Sequence, residues 1–229
     1  MKHYVIAGGS HGIGLEIVQQ LLNSGHQVTC ISRTAPSISH SALNHITHDF
    51  SQTTEMPAIE GPIDGVAYCP GSINLKMFRS LKPEEFQQDF DLNVMGAVRL
   101  LQKLQPGLKA VQGSSVVLFS TVAVQQGMAF HSSIAAAKGA IEGLTRSLAA
   151  EWAPSIRVNA IAPSLVETPL SAKLLSSPEK AEASAKRHPL GRVGRPEDIA
   201  SLAVFLLGEQ SGWITGQVMG VDGGMSALR

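Results

Sequence analysis

The chain has 229 residues, 44% hydrophobic and 16% charged, with 18 basic and 18 acidic side chains. That length and apolar content suit one large α/β domain with its own core and argue against disorder. A formal charge of zero with scattered Lys and Arg gives no nucleic-acid footprint and no basic membrane face, and no apolar run approaches the roughly 20 residues that span a bilayer. The sequence runs from Met1 straight into a strand-like segment, so the expectation is no secretory signal and a cytoplasmic protein. Cys30 and Cys69 sit in or beside apolar runs and read as buried free thiols.

Short apolar runs alternate with helical patterns, which predicts βαβ units and a parallel sheet. Tyr4–Ala7 predicts a first strand. Ile13, Ile17, Val18, Leu21 and Leu22 follow helical spacing and predict a helix that Gly25 ends. Strands are expected at 27–31, more weakly at 43–47, and at 65–68. Helices are expected at 82–90 and at 92–104, the second amphipathic through Val94, Val98, Leu101 and Leu104. A buried strand at 115–119, a long helix at 133–152, a strand at 157–161, a helix at 197–207 and a last strand at 217–221 complete the pattern. The segment 168–188, rich in Ala, Ser, Lys and Glu, reads as a mobile insertion. No repeat or linker divides residues 1–229, so a single domain is expected.

Ala7-Gly8-Gly9-Ser10-His11-Gly12-Ile13-Gly14 lies between the first strand and the first helix. Glycines there admit positive φ and let the backbone approach a pyrophosphate, while the helix aims its N-terminal amides at that anion. The spacing, G-x-x-x-G-x-G, differs from the G-x-G-x-x-G dinucleotide fingerprint, but its place after the first strand points to dinucleotide binding. Strand two ends in Ile31-Ser32-Arg33-Thr34, with no acid to take a ribose 2′-hydroxyl. A guanidinium there suits a 2′-phosphate, so NADP(H) is expected over NAD(H).

Taken together these features resemble the short-chain dehydrogenase/reductase family over nearly the whole chain. Gly8-x-x-x-Gly12-Ile13-Gly14 looks like its cofactor turn, and Asp49-Phe50 like its adenine-contacting pair. Asn93 in Asp91-Leu92-Asn93-Val94 matches its active-site Asn, and Ala136-Ala137-Lys138-Gly139 the segment of its active-site Lys. Arg157 to Pro163 with Thr168 resembles the stretch that closes over the nicotinamide. Gly191 to Ala200 and Ile214 to Gly224 are similar to its C-terminal signatures. The resemblance implies a single-domain α/β Rossmann fold: a doubly wound seven-stranded parallel sheet of order 3-2-1-4-5-6-7 with helices on both faces. It implies a homo-oligomer, tetramer or dimer, acting on a small-molecule substrate. It also implies a cofactor surface that includes Ser10, His11, Gly71, Pro163 and Val166 besides the residues named above.

In the family a Tyr four residues before the Lys exchanges the proton, because residues four apart share a helix face and an ammonium favours phenolate. Four before Lys138 stands Ile134. Thr121, thirteen before Ile134, keeps a substrate-orienting hydroxyl beside Ser120. Of the two tyrosines, Tyr4 begins strand one at the wrong end of the sheet, and Tyr68 ends strand four nearer the adenosine half. His131, three before Ile134, is the other substitute, since imidazole suits acid–base work. His45 and His48 would face opposite sides of a strand, so no metal site is expected. Two readings stay open: an NADP(H)-dependent carbonyl or alcohol oxidoreductase with an altered proton relay, and a catalytically silent NADP(H)-binding sensor or partner subunit.

Overall fold

The computed structural model describes residues 1–52 and 55–228. In chain order it holds β1 (His3–Ala7), α1 (Gly12–Asn23), β2 (Gln27–Ser32), β3 (Leu43–Thr47), β4 (Gly65–Tyr68), α2 (Pro83–Phe90), α3 (Gly96–Lys109) and β5 (Ser114–Phe119). These are followed by α4 (Ala123–Gln126), α5 (Ser132–Trp152), β6 (Ile156–Pro163), α6 (Pro178–Ala185), α7 (Pro196–Leu207) and β7 (Val218–Val221). All strand pairs are parallel, and the order is β3-β2-β1-β4-β5-β6-β7.

Side-chain alternation along the central strands builds two cores rather than one. Val5, Ala7, Val66, Tyr68, Val116, Leu118, Val158 and Ala160 face the layer that contains α3 and α5. Tyr4, Ile6, Ala67, Val117, Phe119 and Ile161 face the layer of α1 and α7. With both faces covered, these strands read as nearly continuous apolar runs. From β1 the chain winds out through β2 to β3, then returns to β4 on the other side of β1. That reversal opens a crevice beyond the carboxyl ends of β1 and β4, where doubly wound sheets bind ligands.

One expectation changes. The helix predicted over 92–104 is a π-helical turn at Asp91–Met95 followed by α3, which runs on to Lys109 with Pro106 inside it. Leu108 extends the buried row of Leu101 and Leu104, and that burial outweighs the local cost of the proline. The segment 168–188, expected from its sequence to be a mobile insertion, has local helical structure. It holds a 3-10 stretch at Pro169–Leu175 and then α6, and it buries Ser171, Ser184 and His188.

Candidate functional site

The glycine turn crosses the end of β1. Its first amide, on Gly8, donates to the Ile31 carbonyl at 2.8 Å and ties the turn to β2. Gly12 has φ +54°, a conformation L side chains rarely adopt, and Gly14 lies so close to the turn that a Cβ there would meet Gly8 O at 2.3 Å. No side chain caps the start of α1, and no acid occupies its first turn. Its leading amides therefore remain available to an anion. A cavity of about 430 Å³ lies over the turn, lined by Gly8, Ser10, His11, Gly12, Ile13 and Gly14 from one side and by Arg33, Asp49, Phe50 and Gly71 from the others. This cradle fits a dinucleotide phosphate bridge.

At the adenosine end, Arg33 is exposed and makes no ion pair among the described residues. Asp49 accepts from the Ser51 amide at 3.0 Å and from its hydroxyl at 2.8 Å, and these bonds hold its carboxyl below the usual range. Phe50 stands edge-on to both His48 and Tyr68.

A second cavity of about 610 Å³ adjoins the first through Ile13, Cys69, Gly71, Thr168 and Leu170. Thr121, His131, Ile134, Lys138, Pro163 and Val166 line it. The candidate residues thus come together from four elements: the loop after β5, the start of α5, the end of β6, and the segment that follows it. Ile134 and Lys138, four apart on α5, are both buried. Burial pulls the Lys138 ammonium down to about 8, with Cys69 and Asp89 opposing that fall. A Cβ on Gly71 would stand 3.3 Å from Asn93 Oδ1 and 3.6 Å from Lys138 Nζ, so these three meet at one point.

The π turn presents Asn93. Gly96 N–H reaches back five residues to Asp91 O, and Asn93 Nδ2 donates to Asp89 O at 2.8 Å and to Ser72 Oγ at 3.0 Å. Ser72 in turn donates to Asp89 Oδ1 at 2.6 Å. Asn93 Oδ1 is buried without a partner. A buried acceptor of this kind is built for a donor such as water or a ribose hydroxyl.

Of the two substitutes for the absent phenol, the structure brings one into the cavity. His131 lies on its wall, with Nδ1 donating to Ala129 O at 2.7 Å. Tyr68 does not reach it. Its hydroxyl donates to Leu92 O at 2.6 Å inside the α3 and α5 core, and burial raises its phenol further from any neutral-pH role. Tyr4 is likewise buried, and its phenol is pushed up to about 12 by burial first and by Asp64 and Glu209 next.

Three polar arrangements escaped the sequence reading. Asp89 and Ser72 support Asn93. Ser120 donates to the buried Glu142 of α5 at 2.8 Å, which pins the loop carrying Thr121. Ser164, next to Pro163, pairs with His188 Nε2 at 2.8 Å on the wall of the larger cavity. The only signal in the sequence was a polar residue at each place, and their partners lie 17 to 24 residues away.

A doubly wound parallel sheet with a glycine turn at its switch point, an Asn, a Lys and a hydroxyl around one crevice defines the class of nicotinamide-dinucleotide oxidoreductases. Residues 49–226 match the family model described as enoyl-(acyl carrier protein) reductase. Over 243 residues the chain is 34% identical to a tropinone reductase homolog of Arabidopsis thaliana, covering 98% of this chain and 92% of that one. It is 31% identical to the L-xylulose reductase of Bos taurus, covering 99% and 97%. The crystal structure of a short chain dehydrogenase family protein from Francisella tularensis superposes with a TM-score of 0.89 at 28% identity, covering 99% of both chains. The chain belongs to the short-chain dehydrogenase/reductase family, whose members use an NAD(P)(H) dinucleotide.

Proposed function

We propose that this protein is an NADP(H)-dependent oxidoreductase of apolar carbonyl or alcohol compounds that works without a phenol. The observation that carries the cofactor choice is Arg33, facing the dinucleotide cavity from the end of β2 with no ion-pair partner among the described residues. The dinucleotide supplies or accepts hydride when bound. The Gly8–Gly14 turn and the α1 amides hold its phosphates, Arg33 the 2′-phosphate, and Lys138 with Asn93 the ribose of the reacting half. Thr121 orients the substrate oxygen, and among the described residues its own hydroxyl engages only the Ala123 amide, at 3.3 Å. Pro163, Val166 and Thr168 wall the ring. Ile73, Leu75, Phe130, Leu174 and Met225 give the larger cavity an apolar lining, which favours a hydrophobic substrate body with a single polar oxygen.

Two measurements on the native chain test this. A charge-assisted pair contributes about 1.5–3 kcal/mol, so Arg33 should make NADPH bind about ten- to a hundredfold tighter than NADH. Arg33→Ser should erase that margin in a fluorescence titration, and tighter binding of NADH by the native chain overturns the cofactor assignment. With NADPH and a panel of hydrophobic ketones and aldehydes, nicotinamide absorbance should fall, and Ile134→Tyr, which crowds the apolar floor, should slow that turnover. Activity that appears only in Ile134→Tyr would instead establish a silent binding protein, the reading favoured by the apolar residue at 134.

A further inference from the structure

Resting on that reading, we propose that Ser164 and His188 form the proton relay of this site, with Ser164 the catalytic hydroxyl and His188 the residue that charges it. Ser164 follows Pro163 at the end of β6, and its Oγ lies 2.8 Å from His188 Nε2. His188 Nδ1 lies 2.8 Å from the Ser184 carbonyl of α6. A carbonyl only accepts, so Nδ1 carries a proton and neutral Nε2 is left to accept from the Ser164 hydroxyl. Both ring nitrogens are therefore engaged, and the imidazole is only 3% exposed. Behind it, a Cβ on Gly223 would sit 3.5 Å from His188 Cβ. Asp222 precedes Gly223 after the end of β7, and Arg187 adjoins His188 in the chain. Both Ser164 and His188 line the cavity that holds Thr121, Ile134 and Lys138.

The other groups on that wall are less suited. His131 is held through one nitrogen and is half-buried. The Thr121 hydroxyl bonds to no titratable side chain among the described residues and accepts from the Ala123 amide. Lys138 sits with Asn93 and Gly71, on the side assigned to the ribose. Ser164 is the hydroxyl on this wall bonded to an imidazole, and an imidazole can both hold and release a proton near neutrality.

In the reducing direction the carbonyl carbon gains the hydride supplied by the reduced dinucleotide, and the π pair moves onto oxygen. That oxygen takes the Ser164 hydroxyl proton. Ser164 takes the Nε2 proton of the His188 imidazolium, which becomes neutral with Nδ1–H still bonded to Ser184. Solvent returns one proton to His188, so the sum is carbonyl plus hydride plus proton giving alcohol. Alcohol oxidation runs the same transfers backwards.

Ser164→Ala tests the relay without disturbing the fold. We expect kcat to fall by about 10²–10⁴-fold, with NADPH affinity and melting temperature held, and Ser164→Thr to restore part of the loss. An independent readout needs no turnover: imidazole nitrogen-15 spectra of the unliganded protein should show His188 as the Nδ1–H tautomer, with an Nε2 resonance that moves in Ser164→Ala. An Nε2–H tautomer, or a Ser164→Ala enzyme with native kcat, overturns the relay while leaving the oxidoreductase reading intact. A native protein that binds NADPH yet reduces nothing in the panel overturns both.

Discussion

Lys138 places an ammonium where water hardly reaches, and the fold bears a cost for it that can be measured. Burial lowers its pKa to about 8. Between that value and the higher one in the unfolded chain, the unfolded state binds more protons, so this residue makes stability rise with pH through the window from about 8 to 10. Below the window the penalty is present in full. Lys138→Met should therefore make the unliganded protein more stable at pH 7, by on the order of 2–3 kcal/mol, while weakening NADPH binding. Urea unfolding of both proteins at pH 7 and pH 10 checks the sign. The gap should narrow at the higher pH, and a less stable methionine variant at pH 7 would show that the ammonium is paired after all. The position could be read from the sequence, but its surroundings could not. Asp89, Ser72 and Ser164 reach their partners only through the folded topology, and nothing in residue spacing places Ser164 against His188 24 residues on.

Elements were legible where burial repeats with a fixed period. The central strands, covered on both faces, and the α1 stripe of Ile17, Val18, Leu21 and Leu22 leave that trace. The glycine turn was legible for another reason: its spacing follows from how closely the backbone must pack, as the 2.3 Å approach at Gly14 shows. The π turn at Asp91–Met95 left none. Val94 and Leu101 keep near-helical spacing across it, and the wider turn is supported by a local bond from Asn93 Nδ2 to Asp89 O and a long-range one to Ser72 Oγ, which leave no mark in the apolar pattern. Its effect is to aim Asn93 at Lys138, so the element that escaped the pattern is one that shapes the site. The segment after β6 left as little trace of its local order. Its polar composition resembles a loose insertion, yet Ser171 caps the turn at Thr168 and Val166, and Ser184 anchors the imidazole of His188.

At the scale of the whole molecule, the sheet leaves β7 paired on one side only, with β6. A free edge invites another strand unless it is covered. Two large apolar side chains of the flanking segments are also exposed: Trp213, just before β7, at 100%, and Phe205 of α7 at 37%. A two-fold contact that lays β7 and α7 against their equivalents would cover all three at once. We expect the chain to assemble through this face as a dimer or a pair of dimers. Light scattering on the eluting protein should give a mass of two or four chains, and Trp213→Ser should lower it. The chain has two tryptophans, and Trp152 is buried, so Trp213 reports the interface: its emission should shift to the red on dilution. A native mass of one chain excludes this face as an interface. Such an assembly would bear on the chemistry because β7 leads directly into Gly223, which packs behind His188, and Met225, which lines the larger cavity. A second copy seated against β7 would steady both, so turnover per chain should fall with dilution in step with the fluorescence change.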